Sequence, residues 1–331
     1  MILVTGGAGY IGSHLAMALL EEGHDIIIFD SLELGHMEIV DILKQYGNLK
    51  FVQGNLKNLD DIRGVFMSNK NIEAVVHFAA YSQVAESVKN PQKYYYNNVY
   101  GTLNLLNAML EFGVKKVVFS STAATYGEPD YTPIDENHPQ NPINPYGNSK
   151  LMIEKIMDDY DKAYGLKSVR LRYFNVAGAD TNARIGEWHE PETHLIPNVL
   201  KATNEKTFKM FGDDYNTKDG TCVRDYINVE DLADAHIKAL QYLNNGGETT
   251  FINLGTQNGN SVKEVFAACE KVKKCSIPIE ICPRRDGDPA TLVADNSKAK
   301  KILNWVPEKD LEYSIKTAQD WETNLIKYKG C

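Results

Sequence analysis

Tyr146 and Lys150 stand four residues apart in Asn144-Pro-Tyr146-Gly-Asn-Ser-Lys150, after a proline-rich loop and at the opening of a helical pattern over 151–164. Four residues is about one helical turn, so the two side chains project from the same face. A free phenol titrates near pH ~10 and is a poor base at neutrality. An ammonium held nearby favours the phenolate. Lowering the phenol by about three pH units takes roughly 4 kcal/mol, and one cation about 4 Å away at an effective dielectric of about 20 supplies about that much. The spacing suits a base that takes a proton from an alcohol. A third group fits beside it. Ser120-Ser-Thr122-Ala-Ala-Thr-Tyr-Gly127 closes a strand pattern, and the Thr122 hydroxyl can hydrogen-bond the alcohol that Tyr146 deprotonates. Ser120 and Ser121 are assigned first to the strand end and its local backbone.

Oxidising an alcohol also needs a hydride acceptor, and the N-terminus carries a place for one. A strand pattern over 2–5 runs into Thr5-Gly6-Gly-Ala-Gly9-Tyr10-Ile11-Gly12-Ser-His14, with Gly6, Gly9 and Gly12 three apart at a strand-to-helix turn. Glycines there allow a tight turn and a close backbone approach to a pyrophosphate, and the helix offers its first amides to that anion. A second strand ends in Asp30, eighteen residues after Gly12, placed to accept from the ribose hydroxyls of adenosine. Ser31, Leu32 and Glu33 follow without a cation, so a 2′-phosphate would meet only negative charge and NAD is expected rather than NADP. Asn55-Leu56 follows a third strand and can border the adenine. His77-Phe78-Ala79-Ala80 follows a fourth, and its small residues let a cofactor pass closely. His77 itself is expected to be a partly buried histidine that ends the strand.

These loops need a scaffold. Strand patterns over 2–5, 25–29, 50–52, 74–78, 116–120 and 168–172 alternate with helical patterns over 12–22, 60–67, 94–112 and 151–164. That rhythm predicts an α/β fold, a Rossmann-type doubly wound parallel sheet with a smaller C-terminal α/β substrate lobe. Residues 1–174 form the expected cofactor domain, with about 225–255 returning to the sheet. Residues 175–224 and 256–331 form the substrate lobe, whose last segment opens on a capping box at Ser261–Glu264. The 331 residues carry a net charge of −9, which argues against nucleic acid as the main partner. No apolar run spans a membrane, and the strand at the N-terminus leaves no room for a signal peptide. Five cysteines without paired metal spacing predict neither a disulfide framework nor a metal site, and a reducing cytoplasm is the expected setting.

Together these motifs resemble the extended short-chain dehydrogenase/reductase family. Arg172-Tyr-Phe-Asn-Val-Ala-Gly178, Gly220-Thr-Cys-Val-Arg-Asp-Tyr226 and Arg284-Arg-Asp-Gly-Asp288 narrow the likeness to the UDP-glucose 4-epimerases, over nearly the whole chain. The resemblance implies that Tyr146 is the base, Lys150 fixes the nicotinamide ribose and tunes the tyrosine, and Thr122 assists at the sugar. Gly6, Gly9, Tyr10, Ile11, Gly12, Asp30, Asn55, Leu56, Phe78, Ala79, Ala80, Asn97, Ser120 and Tyr173 would hold NAD with them. Asn175, His194, Leu195, Arg224, Arg285, Asp288 and Leu292 would face a UDP-sugar. Guanidinium forks suit its diphosphate, and an acidic chain must concentrate positive charge where an anion binds. It also implies a homodimer paired through the helices near 94–112 and 151–164.

Several positions depart from the family pattern. Asn55 replaces a common Asp, Ser82 a Lys found in some members, and His194 a common Asn. Leu292 sits where size separates hexose from N-acetylhexosamine substrates. The implied reaction is inversion of the sugar C4 through a 4-keto intermediate. A uronic or N-acetylated UDP-sugar epimerase stays open, as does a non-catalytic dinucleotide sensor. A 4,6-dehydratase would need an Asp-Glu pair where Ala123 and Ala124 stand, and methyl groups move no protons.

Overall fold

A computed structural model gives the structure, which describes residues 1–285 and 289–329. The chain opens with β1 (Ile2–Thr5), α1 (Tyr10–Glu21), β2 (Ile26–Asp30), α2 (Met37–Leu43), β3 (Leu49–Gln53), α3 (Leu59–Ser68) and β4 (Ala74–His77). Then come α4 (Val84–Lys89), α5 (Pro91–Tyr94), a π-helical turn (Tyr95–Tyr100), α6 (Gly101–Glu111), β5 (Lys116–Thr122), a 3₁₀ turn (Ala123–Thr125), α7 (Pro145–Tyr164) and β6 (Lys167–Tyr173). The remainder holds β7 (Asn175–Ala177), α8 (Leu195–Leu200), β8 (Phe208–Phe211), β9 (Val223–Asn228), α9 (Val229–Asn244) and β10 (Thr250–Leu254). It ends with β11 (Gly259–Ser261), α10 (Val262–Lys273), β12 (Ile279–Cys282), β13 (Thr291–Leu292), α11 (Ser297–Leu303) and α12 (Leu311–Lys329).

Among the described residues the central sheet has seven strands in the order β10-β6-β5-β4-β1-β2-β3, and every pairing is parallel. β2 and β4 are buried along their whole length, as a parallel sheet covered on both faces requires. Their side chains alternate between two cores. Val4, Ile28 and Val76 pack with Leu15, Leu19 and Leu240, on the side of α1 and α9. Leu3, Ile27 and Val75 pack with Phe66, Leu105 and Ile153, on the side of α3, α6 and α7. The strand order reverses direction at β1 and β4, and it opens a crevice beyond their C-terminal ends, where such sheets bind ligands.

The structure adds to the sequence-based expectations in three places. The helix expected at 94–112 is present as one unbroken helical run over α5, the π turn and α6, with right-handed helical dihedrals at both junctions and a π-type turn in the middle that the sequence pattern does not show. The helix expected at 151–164 starts at Pro145, because Asn144 accepts from the Gly147 amide and proline sits at its first position. α2 and α4 escaped the sequence reading, since neither opens on a side-chain cap. The capping box at Ser261 and Glu264 is present at the start of α10.

The return to the sheet is narrower than 225–255. α9 packs on α1, and β10 joins the sheet edge beside β6, but β9 lies elsewhere. β9 is the centre of a small mixed sheet, parallel to β7 and β13 and antiparallel to β11. The buried Asp225 carboxylate holds that junction together. It accepts from the amides of Thr256, Gln257 and Ala294 and from the Thr256 hydroxyl. No helix among the described residues is long and apolar enough to cross a membrane.

Candidate active site

The loop after β1 turns sharply at Gly6, whose φ of +73° suits glycine. A methyl group on Gly6 would lie 2.6 Å from the Ala79 amide nitrogen, so this glycine lets the loops after β1 and β4 touch. Gly9 caps α1 without a side-chain hydrogen bond, which leaves the first-turn amides of Tyr10, Ile11 and Gly12 uncapped by side chains. The Asp30 carboxylate already accepts from the Ala8 amide at 3.0 Å and the Leu32 amide at 2.9 Å. Burial pushes its pKa up, and these amides pull it back. An uncapped helix start beside an oriented carboxylate fits a pyrophosphate and an adenosine ribose.

Other expected cofactor residues show divided duties. The Tyr10 hydroxyl donates to the Gly178 carbonyl at 2.6 Å, so its side chain bridges to the loop after β7. Asn55 Oδ1 accepts from the Lys57 amide at 2.9 Å, which leaves one lone pair for an adenine amino group. Leu56 is core, and its carbonyl accepts from Asn104. Phe78 and Ala79 sit at the end of β4, partly buried beside Ala80. The Tyr173 hydroxyl hydrogen-bonds Ser120, next to the catalytic candidates. Asn97 donates to Asn98 Oδ1 at 3.1 Å. Asn98, which the sequence reading passed over, does more. It is fully buried, clamps the backbone amide and carbonyl of Tyr81, and donates to Ser149 on α7. Its only sequence signal was an asparagine inside an apolar helical pattern.

The catalytic candidates converge from two elements. Thr122 ends β5, and its Oγ1 accepts from the Ala124 amide at 3.1 Å, capping the 3₁₀ turn. Tyr146 and Lys150 occupy the first turns of α7. Gly147 lets that helix lie against the turn, since a methyl group there would stand 2.4 Å from the Ala124 carbonyl oxygen. Burial pushes the Tyr146 phenol up, and a hydrogen bond with Thr122 pulls it down. Burial pushes Lys150 down to about 7, with Glu154 pulling the other way. The Lys150 Nζ donates to the Ser120 carbonyl at 2.8 Å and lies 6.0 Å from the Tyr146 ring centroid. The lysine alone thus does not bring the phenol down to neutral pH, contrary to the simple charge argument. The shortfall has a physical cause, the burial of both groups.

His77 is more deeply buried than expected and is held between two threonine hydroxyls, Thr5 at 2.7 Å and Thr102 at 2.8 Å. Burial, with the Lys150 charge, pushes it down to about 3, so it stays neutral and serves packing.

On the second lobe, register places Arg224 beside Leu292, and Leu292 packs with Ala123 and Phe174 next to the catalytic turn. Asn175 is exposed at the start of β7, and Leu195 opens α8. Arg285 is exposed, with its guanidinium 4.0 Å from the Phe211 ring centroid. Asp288 lies outside the described residues. His194 does not stand alone. Its Nδ1 is 2.5 Å from Glu187 Oε1 and 3.2 Å from Glu192 Oε1. Burial opposes its charge, yet these carboxylates push it up to about 10.

This geometry has counterparts. A family model described as GDP-mannose 4,6 dehydratase matches residues 3–318. The UDP-glucose 4-epimerase of Streptococcus mutans is 51% identical over 98% of this chain and 98% of its own length. The chain belongs to the UDP-glucose 4-epimerase family. Within that family, the structure of the Bifidobacterium longum UDP-glucose 4-epimerase in complex with NAD+ and UDP is 41% identical and superposes with a TM-score of 0.93 over 98% of each chain. The UDP-Glc/GlcNAc 4-epimerase of Campylobacter jejuni is 43% identical, with a TM-score of 0.85 over 98% of this chain and 99% of the other. The seven-stranded parallel sheet and its crevice are therefore the epimerase architecture.

Proposed function

We propose that this protein is an NAD-dependent UDP-glucose 4-epimerase that interconverts UDP-galactose and UDP-glucose by reversible inversion at C4. The observation that carries the reading is the meeting of Tyr146, Thr122 and Lys150 at the crevice edge, beside a turn that carries Ala123 and Ala124. When bound, NAD supplies the hydride acceptor for C4 and gives the hydride back. As the phenolate, favoured by Lys150, by the Thr122 hydrogen bond and by the positive charge that an oxidised nicotinamide would add, Tyr146 takes the proton of the sugar 4-hydroxyl, and Thr122 hydrogen-bonds the same oxygen. Lys150, fixed by the Ser120 carbonyl, sets the nicotinamide ribose and adds positive charge at the phenol. Gly6, Gly9, Gly12, Asp30 and the end of β4 hold the dinucleotide.

Residues 175–224 and 256–331 anchor the nucleotide, with Arg224 and Arg285 at the diphosphate and Asn175, His194, Leu195 and Leu292 around the substrate. The sugar stays loosely held, so the 4-keto intermediate can present its other face before Tyr146 returns the proton. Ala123 and Ala124 offer no second proton relay, which favours epimerisation over the dehydration that the family model's description suggests.

The active unit is a homodimer in the cytoplasm. Val88, Tyr96, Tyr100 and Met152 are exposed on α4, the π turn and α7, which pack together and fit a two-fold apolar contact. Incubation with UDP-galactose and no added NAD should yield UDP-glucose. No product, even with excess NAD, overturns the reading. UDP-N-acetylgalactosamine and UDP-glucuronate in the same assay decide whether the Leu292 pocket also takes larger or acidic sugars.

A further inference from the structure

We propose that Glu187, His189, Glu192 and His194 form a binding site for one divalent d-block cation of the Zn2+ type. The four residues fall within eight positions of one loop, between β7 and α8. One donor atom from each lies within 4.8 Å of the others. In a tetrahedral site with ligands about 2.1 Å from the metal, neighbouring donors stand about 3.4 Å apart. His189 Nδ1 and Glu187 Oε1 are 3.0 Å apart, and His194 Nδ1 and Glu192 Oε1 are 3.2 Å apart. The 2.5 Å contact between His194 and Glu187 must open by nearly an ångström.

A second observation points to a ligand. The Glu192 side chain is 6% exposed, and its Oε2 is buried without a hydrogen-bond partner. Lys201 Nζ stands 3.7 Å from that oxygen, too far for a hydrogen bond, and lies 2.8 Å from Glu322 Oε1 instead. His194 stands between the two carboxylates as an imidazolium, and a divalent cation would take over that charge as the imidazole releases its proton. The histidine side chains are 29% and 48% exposed, so a metal can enter from their side.

The loop is also held in place from outside. Trp321 Nε1 donates to the Glu187 carbonyl at 2.9 Å, and Trp188 stacks on His36 with ring centroids 3.7 Å apart. Such support keeps donors oriented before a metal arrives. Two imidazoles with two carboxylates suit Zn2+ and its neighbours, whereas Mg2+ keeps its waters and prefers oxygen ligands. A cation here would pin the start of α8. The inference rests on the loop alone and does not depend on the reaction proposed above.

The test is calorimetric titration of ZnCl2 into chelator-treated, NAD-loaded full chain without a histidine tag. One Zn2+ per chain is expected, with no competition from Mg2+ and a raised unfolding midpoint. His189→Ala and, separately, Glu192→Gln should each weaken binding at least about tenfold. Unchanged Zn2+ affinity in a folded His189→Ala chain, absence of saturable binding in the parent chain, or equal binding of Mg2+ overturns the proposal. Should Glu192→Gln fail to fold, loss of the Co2+ ligand-field bands in His189→Ala decides the matter in the same way.

Discussion

The side-chain amide of Asn98 donates to the Ser149 hydroxyl at 3.2 Å, and Ser149 in turn donates to the Tyr146 carbonyl at 2.7 Å. Because Asn98 also clamps both backbone groups of Tyr81, one buried side chain ties the loop after β4 to the helix of Tyr146, the proposed base. It sits in the π-helical turn, a distortion that often marks functional sites.

Asn98→Ala should therefore lower stability by about 2–4 kcal/mol, since it leaves two buried backbone groups of Tyr81 without partners. It should also lower kcat more than it raises KM, because substrate contacts remain while the tyrosine loses its support. Denaturant unfolding and steady-state kinetics check both parts. A stable variant with a normal kcat would contradict the positioning role.

Tyr146→Phe removes the proposed proton acceptor and keeps the ring. Turnover of UDP-galactose should fall by about 10²–10⁴-fold. Bound NAD, read by extraction and chromatography, should stay near the parent level, because the glycine loop and Asp30 are untouched. A dinucleotide sensor would be indifferent to the change, so full loss of turnover also separates the two readings.

Gly147→Ala has an expected sign opposite to helix propensity. In an open helix, alanine gains about 1 kcal/mol over glycine. Here the new methyl meets the Ala124 carbonyl at 2.4 Å and must push α7 away from the 3₁₀ turn that follows Thr122. We expect a net loss of stability and at least a tenfold loss of kcat. A more stable, fully active variant would show that α7 yields without cost.

The pH dependence of stability should carry a signature of His77. Its folded pKa, about 3, lies below the ordinary value of 6.5, so the unfolded chain binds the proton more readily. The contribution is complete above about pH 6.5 and declines as pH falls toward about 3, at up to about 1.4 kcal/mol per pH unit. His77→Gln should flatten that slope in acid unfolding experiments while epimerase activity at pH 7 persists. An unchanged slope would assign the acid sensitivity to other groups.

The glycine turn, Asp30, Tyr146, Lys150 and Thr122 can be proposed from the sequence because the chemistry they offer depends on short spacings and strand ends, which a linear chain displays. The parallel sheet was readable for a similar reason, as short apolar runs such as those of β2 and β4 alternate along the chain with helical patterns. Asn98 was not readable, because its partners are Tyr81 and Ser149, and nothing in a single asparagine reveals contacts 17 and 51 positions away. Nor was β9, whose residues look like any strand and whose place in the small sheet depends on β7, β11 and β13.

The sequence by itself determined the chemistry on offer: a phenol, an ammonium and a hydroxyl at fixed spacing, a glycine turn for a dinucleotide, and two alanines where a second relay would stand. The tertiary structure decided how that chemistry is tuned. Burial raises Tyr146 and lowers Lys150 toward about 7, and the Ser120 carbonyl sets where the ammonium points. It also drew Glu187, His189, Glu192 and His194 into one cluster. Spacing is local and is written along the chain, whereas desolvation and charge pairing depend on what the fold brings around each group.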